Sequence, residues 1–496
     1  MVRFAKHGDV YLRDIENRGK KAKQLLWGDF LDIEEESGDG WATVRWGRDR
    51  YWIRLEDCQD ERPLEVVFVD VGQGDGCLVV SPEMGVDEKI LLIDAGERRN
   101  MYNFVKWRFG KLKKDVRFHA AVVTHSDQDH YGGFQPFFEQ QAFSFGAVHH
   151  NGIAERSGPD LFGPSDASRR FLTDVVTTDA QMRTLYGDAG VRGTKQYARL
   201  MHTALTSGRV GKVEMLSTAH GTSEEGRSWM PGFSPSESPG LTIEVLGPVV
   251  EPDEAGRPRL RWFGDSPGST GRDKGKTKNG HSVLLRLQHR NFALLFGGDL
   301  NLPAEDFLLR HYADLPPDRP LSEAVGRARE RFGADVMKSC HHGSADVTDE
   351  FLDAVHPFAF TVSSGDQESH AHPRPDLLGR LGRHGRGAAP LILCTEILRS
   401  GREREDDRVL SRIRRLDGLI EKPTTSPDDR EKHRKERAAA QALLARRNVE
   451  VYGAITLRTD GRTLVIAFRL ETGDSARRWQ TYTFRHDPED GFVPVG

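Results

Sequence analysis

Short apolar runs bounded by glycine and aspartate dominate the middle of the chain. Residues 65–93 read as strand, glycine turn and strand, in EVVFVDVGQGDGCLVV and KILLIDAGE. Runs of four to six apolar residues between such breaks are typical of the central strands of a layered α/β fold. The same pattern predicts a helix at 100–114 and strands at 117–124, 241–246, 282–287 and 292–296.

The first 62 residues have a different pattern and predict a separate small β unit. Aromatic-rich strands near 24–33, 41–46 and 51–55 are broken by Ser-Gly-Asp-Gly and Gly-Arg-Asp-Arg turns. The run GWATVRWGRDRYWIRLEDC resembles bacterial SH3-like barrels. That resemblance implies either a module that binds a protein partner, a peptide or nucleic acid, or a cap that stabilises the main domain.

The rest of the chain divides by composition. Residues 63–398 predict the main α/β domain, with an insertion at about 150–225 that lacks strand patterning and a polar, glycine-rich loop at 265–280. Residues 399–450 carry charges of both signs and predict a solvated helical insertion. Residues 451–496 predict strands with a Thr-Asp-Gly turn that close the main domain.

Composition narrows the functional class. The 496 residues carry a net charge of −4 with 29% charged residues, which excludes an overall basic nucleic-acid-binding surface. The four cysteines are scattered, as expected in a reducing compartment. The first residues lack the apolar core of a signal peptide, and no window has the ~20 apolar residues of a membrane span. We therefore expect a cytoplasmic protein with no membrane partner.

The segment THSDQDHYGG carries the strongest chemical signal. An apolar run leads directly into four metal-capable side chains within six positions: His125, Asp127, Asp129 and His130. A strand that ends in a turn before a helix would direct these side chains into one hollow. Two metal ions that share one hydroxide there would activate water for hydrolysis.

Three later strands also end in metal-capable residues. FALLFGGD ends at Asp299, DVMKSCHHGS ends at His341 and His342, and TVSSGDQESHAHP ends near His370 and His372. Ligands at the carboxyl ends of neighbouring strands are the expected architecture of an α/β site.

The order of these boxes resembles a known family. FVDVGQGD, LLIDAG, THSDQDHYGG, NGHSVLLRL, LLFGGD, ADVMKSCHHGS and SSG…HP are similar, over about residues 64–395, to the metallo-hydrolase domain of the ComEC-type DNA-internalisation family and its soluble relatives. The resemblance implies the metallo-β-lactamase fold, a four-layer αββα sandwich. The chain lacks the membrane part of the uptake proteins, so the hydrolase chemistry is implied and DNA transport is not.

The resemblance also implies a ligand set for two ions. His125, Asp127 and either His281 or Asn279 would hold the first, with His281 preferred. Asp129, His130 and one of His341 and His342 would hold the second, with Asp299 bridging. Asp129, His130 and Asp299 would also be the catalytic residues. Supporting or substrate-binding roles fall to four further residues: Asp75, Asn279, Ser344 and His372.

Asp127, where the superfamily usually has histidine, favours manganese or magnesium relative to an all-imidazole site, and zinc stays compatible. We expect two divalent ions and a phosphodiesterase or nuclease. The backbone amides of Gly343 and Ser344 could bind a phosphate oxygen. Three loop lysines (Lys274, Lys276 and Lys278) could neutralise a nucleic-acid backbone or only keep the loop soluble. Two alternatives stay open: a lactone, amide or thioester hydrolase, and a non-catalytic binding or regulatory protein with a vestigial site.

Overall fold

The computed structural model describes residues 1–110, 115–264, 272–365, 371–397, 407–470 and 474–495. Within these residues the fold is mixed α/β with several sheets, which confirms the predicted class. Residues 265–271, 399–406 and His370, which the sequence places near the end of a predicted strand, lie outside the described residues. No helix in the described ranges is long and apolar enough to cross a bilayer.

Two large sheets form the main body. The ten-stranded sheet contains, in spatial order, Val213–Met215, Phe143–His150, Val116–Val122, Ile90–Ala95, Gly76–Val80, Leu64–Phe68, Ile455–Thr459, Thr463–Arg469, Trp479–Asp487 and Gly491–Pro494. The eight-stranded sheet contains Thr222–Glu224, Arg227–Trp229, Thr242–Gly247, Leu284–His289, Phe292–Phe296, Val336–Lys338, Ala359–Val362 and Leu391–Cys394. A short ribbon pairs Phe171–Leu172 with Leu260–Arg261.

The helices lie between and after these strands. The α-helices are Asn100–Phe109, Gln128–Tyr131, Gln135–Glu139, Asp179–Gly187, Ala189–Arg192, Gln196–Thr206, Lys274–Gly280, Leu302–Ala313, Val325–Phe332, Asp349–Val355, Pro375–His384, Asp407–Glu421 and Pro427–Tyr452. Single 3₁₀ turns span Leu55–Asp57, Gly85–Asp87, Gly132–Phe134, Leu321–Ala324 and His341–Gly343.

Three large apolar clusters pack against the two large sheets. One cluster lies between the two large sheets, where the rings of Phe68 and Phe296 are 6.1 Å apart. A second joins the other face of the ten-stranded sheet to helices such as Asn100–Phe109 and Gln196–Thr206. The third joins the other face of the eight-stranded sheet to helices such as Leu302–Ala313. Each sheet therefore buries both faces, which explains its near-continuous apolar strands.

The polar loop prediction is wrong for residues 274–280, which form the helix Lys274–Gly280. The Asp273 carboxylate caps this helix by accepting a hydrogen bond from the Lys276 amide at 2.9 Å. The Thr277 hydroxyl also bonds to the backbone of Phe263. These bonds compensate for the weak helix propensity of a segment with two glycines.

The N-terminal sheet is open. Its spatial order is Lys21–Gln24, Tyr11–Arg13, Asp49–Arg54, Trp41–Trp46, Phe30–Glu36, Val2–Ala5 and Cys58–Gln59. Within residues 1–62, all of which are described, the two edge strands do not pair with each other, so the predicted SH3-like barrel is not confirmed. The edge strand Lys21–Gln24 contacts residues 475–479 instead of the other edge strand. The Gln24 backbone amide donates to the Ser475 carbonyl, and the Gln24 side chain accepts from the backbone amides of Arg478 and Trp479.

A buried ion-pair network joins the N-terminal sheet to the main body. Arg458 donates to Glu65 at 2.8 Å and to Asp29 at 2.9 Å, and Arg108 donates to Glu65 at 3.1 Å. Burial by itself would raise the pKa of Glu65, but the two guanidinium groups outweigh it and lower the pKa to about 2. Trp27 packs against Val465 beside this network.

We predict that Glu65→Gln lowers the free energy of unfolding at neutral pH by about 3–5 kcal/mol, because it leaves buried arginines without a charged partner. The folded pKa of Glu65 is depressed, so its contribution is complete above the unfolded pKa of about 4.3 and is lost as the pH falls toward 2. The difference between wild type and variant should therefore shrink over that range. Urea denaturation followed by tryptophan fluorescence measures the free energy of unfolding of both proteins at each pH.

Glu56→Gln is the matched control, since Glu56 is an exposed partner of Arg54 and its loss should cost less than about 1 kcal/mol. Equal losses in the two variants would contradict the assigned role of Glu65.

Candidate metal centre

Strands of both large sheets end at one place. Ile90–Ala95 and Val116–Val122 run parallel in the ten-stranded sheet, and Phe292–Phe296, Val336–Lys338 and Ala359–Val362 run parallel in the other. Their carboxyl ends bring together the residues that follow them in sequence. Polar side chains that are far apart in the chain thereby meet in one buried cluster.

Four buried side chains form the centre of this cluster: Asp75, His130, Asp299 and His342. Each offers one ligand atom, and these atoms lie within 4.8 Å of one another. The Asp299 Oδ2 atom is 3.2 Å from His342 Nε2 and 3.3 Å from His130 Nε2. The two Nε2 atoms are 3.2 Å apart.

The other nitrogen of each ring is already engaged. His130 Nδ1 is 2.8 Å from Asp94 Oδ2, and His342 Nδ1 is 3.2 Å from the Ser363 carbonyl oxygen. Carboxylate and carbonyl oxygens only accept hydrogen bonds, so each Nδ1 carries the proton. The neutral rings therefore direct two Nε2 lone pairs at each other and at a carboxylate, an arrangement that requires a cation or a proton between them.

The electrostatics of the cluster agree with this requirement. Burial by itself would lower the pKa of His130 and of His342, but the Asp299 carboxylate and its anionic neighbours raise both well above the ordinary value. Burial would raise the pKa of Asp299, but the positive charge that His130 and His342 carry when protonated holds this pKa well below its usual range. Positive charge is therefore favoured at the point where the two Nε2 atoms meet.

The residues fit a divalent metal ion. One buried atom of the cluster, Asp299 Oδ1, has no hydrogen-bond partner among the described residues. Imidazole nitrogen and carboxylate oxygen are ligands that zinc and manganese both accept. Asp94 supports His130 from behind, as carboxylates behind metal-binding histidines commonly do.

Asp75 has a central position that the sequence did not predict. Its Oδ1 atom is 3.2 Å from His342 Nδ1, and its Oδ2 atom contacts the buried ammonium of Lys338, which also donates to the Gly298 carbonyl at 3.1 Å. The preceding Gly74 has φ +117°, and a Cβ there would lie 2.0 Å from the Asp129 carbonyl oxygen. The glycine turn thus allows Asp75 to approach the THSDQDH segment.

The two histidines of the HHGS box have unusual backbone geometry. His341 and His342 have φ of 46° and 53°, and Gly343 follows with φ 87°. Consecutive left-handed residues other than glycine are strained and often occur at functional sites. The turn sends His342 into the cluster, whereas His341 Nε2 is 3.9 Å from Asp299 and its side chain is 29% exposed.

Three side chains form the open side of the cluster. Asp127 and Asp129 have 32% and 26% of their side-chain surface exposed, and His341 is the third. Asp129 Oδ2 is 3.3 Å from His342 Nε2, which places it at the edge of the buried centre. A substrate would reach the centre from this side, which we call the mouth.

Asp127 has partners from the helix Lys274–Gly280. The Lys278 ammonium contacts Asp127 Oδ1, and the Asn279 amide, in the orientation that satisfies its hydrogen bonds, donates to Asp127 Oδ2 at 2.9 Å. His125 Nε2 is 3.3 Å from the same Oδ2 atom. Burial would raise the pKa of Asp127, but His125 and Lys278 lower it to about 2.

Other predicted site residues lie apart from the buried centre. The ring of His281 packs on Phe263 with 4.7 Å between centroids, and its Nε2 is 2.8 Å from the Arg261 carbonyl oxygen. The structure therefore does not bring the preferred third ligand to Asp127. His372 is near the mouth, with its ring centroid 5.7 Å from that of His341.

The prediction that the backbone amides of Gly343 and Ser344 bind a phosphate oxygen is wrong. The Gly343 amide donates to the Cys340 carbonyl at 3.1 Å, and the Ser344 amide donates to the His341 carbonyl at 2.8 Å. The Ser344 hydroxyl accepts from the Asp346 amide at 3.2 Å. Because the tight turn uses both amides, neither can hold a phosphate oxygen.

Sequence reasoning missed Thr124 and Lys338 at the site, and it expected Lys278 only as a loop lysine that neutralises nucleic acid or keeps the loop soluble. Thr124 donates its hydroxyl to Asp94 at 2.7 Å, so it fixes the carboxylate that orients His130. Lys338 and Lys278 hold Asp75 and Asp127. The position of Lys338 at the end of the apolar run DVMK is a sequence signal for a lysine at the site. Nothing in the sequence links Lys278 to Asp127 beyond its place in a basic segment.

No protein-family model matches the chain, and no curated protein matches it. Among solved structures, a mutant of the CmlA beta-hydroxylase is similar to this chain with a TM-score of 0.31 and 11% sequence identity. That match covers 78% of this chain and 74% of the other.

We predict that Asp94→Asn weakens divalent-metal binding about 10- to 100-fold, the usual cost of losing the carboxylate behind a metal-binding histidine. The amide cannot hold the His130 proton at Nδ1 as a carboxylate does. Titration calorimetry with Mn²⁺ and with Zn²⁺ measures the dissociation constants. Asp376→Asn, at an exposed aspartate, is the control. Unchanged affinity in Asp94→Asn would show that His130 needs no such support.

Proposed function

We propose that this protein is a metal-dependent hydrolase of the metallo-β-lactamase fold, in the soluble ComEC-like branch, and that it cleaves phosphodiesters. One observation carries the proposal: two buried histidines direct their Nε2 atoms at one shared carboxylate, Asp299, while each Nδ1 donates to an oxygen behind it, on Asp94 and on Ser363.

The layered core supports the fold assignment. An apolar cluster between two sheets, with helices packed outside each, is the arrangement that an αββα sandwich requires. The motif boxes also lie where that fold would use them, at strand ends facing one hollow. Asp299 follows Phe292–Phe296, and His342 follows Val336–Lys338.

His130, His342, Asp299 and Asp75 would hold a divalent ion, with Asp129 at its open side. When bound, such an ion lowers the pKa of water and stabilises negative charge that develops in hydrolysis. Asp94 and Ser363 keep both imidazoles in the binding tautomer. Lys338 neutralises Asp75, so that this carboxylate can be buried beside Asp299.

Asp129 orients the attacking water at the mouth. Burial would raise its pKa, but the hydrogen bond with His342 and the charges of His130 and His342 hold it well below its usual range. Its carboxylate is therefore ionised at neutral pH and accepts a hydrogen bond from water that enters beside the substrate.

The phosphodiester assignment comes from the branch that the VGQGD and HHGS boxes resemble. The mouth offers nitrogen groups to an anionic substrate, because the His341 and His372 rings lie there with their centroids 5.7 Å apart. Nucleic acid is one such substrate.

We predict that the full chain with Mn²⁺ or Zn²⁺ hydrolyses bis-p-nitrophenyl phosphate and at least one of single-stranded DNA, double-stranded DNA and RNA, with Mg²⁺ as a third metal to test. The double variant Asp129→Ala with His130→Ala should hydrolyse these substrates more than about 100-fold more slowly. Loss of residues that contact the metal ion costs more than the 10- to 100-fold of a lost supporting hydrogen bond. Rates with each metal and substrate measure this effect.

Asp376→Asn should keep wild-type rates. If wild type and the double variant were equally inactive on every phosphodiester, while wild type opened a lactone or β-lactam, the phosphodiester proposal would fail and the hydrolase assignment would stand.

A further inference from the structure

The residues expected to hold a first metal ion do not form an open site. Both carboxylate oxygens of Asp127 have partners from this chain: Lys278 on Oδ1 and the Asn279 amide on Oδ2. His281, the preferred third ligand, bonds the Arg261 carbonyl instead. His125 and Asp127 therefore meet, and Asn279, the alternative third ligand, reaches Asp127 as a hydrogen-bond donor.

The Lys278 ammonium has a fixed and mostly buried position. Its side chain is 15% exposed, and its nitrogen lies 3.7 Å from a second carboxylate, Glu155, whose Oε1 accepts from the Ser126 hydroxyl at 3.3 Å. The helix that carries it is held by the Asp273 cap and by the Thr277 bonds to Phe263. Lys278 is thus held by two anions and a capped helix.

We propose that this chain binds one divalent ion, at the Asp75, His130, Asp299 and His342 cluster, and that the Lys278 ammonium takes the place of a second ion at Asp127. The inference assumes the metal site of the proposed function and does not depend on the substrate.

Repulsion from Lys278 opposes a second ion. Six carboxylates line the region (Asp75, Asp94, Asp127, Asp129, Glu155 and Asp299). The Lys278 ammonium contacts Asp127 and Glu155, and the Lys338 ammonium contacts Asp75. A second divalent ion at Asp127 would lie against the Lys278 ammonium, and like charges that close repel strongly in a partly buried site.

The test is the metal content of the full chain. Chelator-treated protein is titrated with Mn²⁺, the bound metal is counted by elemental analysis, and the electron paramagnetic resonance spectrum separates isolated Mn²⁺ from a spin-coupled pair. Wild type should bind one ion per chain with the spectrum of an isolated ion. Lys278→Ala, which frees Asp127 and Glu155, should bind two ions and show spin coupling.

Two controls isolate the charge of Lys278. Lys278→Arg keeps a cation and should still bind one ion, and Lys274→Ala, at an exposed lysine of the same helix, should also bind one. Two coupled ions in wild type would overturn the inference and leave the proposed function intact. A single ion in folded Lys278→Ala would likewise overturn it. No bound metal in wild type would overturn both proposals.

Discussion

Compensation of buried negative charge at Asp299 is the constraint on which the site depends. This carboxylate is 2% exposed, and its surroundings include further aspartates that water cannot solvate. An isolated buried carboxylate is strongly unfavourable, so the fold must supply positive charge within a few ångströms. It does so with the imidazoles of His130 and His342, at 3.3 and 3.2 Å, and with the ammonium of the nearby Lys338. The places of Lys338 and the two buried histidines follow from this single requirement.

The charged groups come from both large sheets. Asp75, Asp94 and His130 lie in or beside strands of the ten-stranded sheet, whereas Asp299, Lys338 and His342 follow or end strands of the eight-stranded sheet. The pair between Asp75 and Lys338 spans 263 positions in sequence. The site is therefore a polar junction at the edge of an otherwise apolar interface. A cation bound there would join the two sheets, so metal binding and folding should be thermodynamically linked.

Local signals in the sequence were sufficient for much of the fold. The strand Phe292–Phe296 coincides with its prediction because the run FALLF is bounded by Asn291 and Gly297. The cluster residues His130, Asp299 and His342 were also found, since each follows an apolar run. The helix Asp179–Gly187 was missed, although Thr178 and Gln181 form a capping box that its sequence shows. The seven-stranded N-terminal sheet could not be distinguished from a barrel, because closure depends on the partner of Lys21–Gln24, and residues near 475 provide that partner.

The features of the site that the sequence could not predict depend on contacts between residues far apart in the chain. No periodicity connects Lys278 to Asp127 or places the His281 ring on Phe263, since both depend on how a short capped helix packs. The chemical consequence is substantial. An ammonium offers charge and hydrogen bonds but cannot coordinate and acidify water as a divalent ion does. If Lys278 supplies the second positive charge, activation of water depends on the Asp299 cluster alone. Asp127 then serves to position a cation that is a side chain of the protein and does not dissociate.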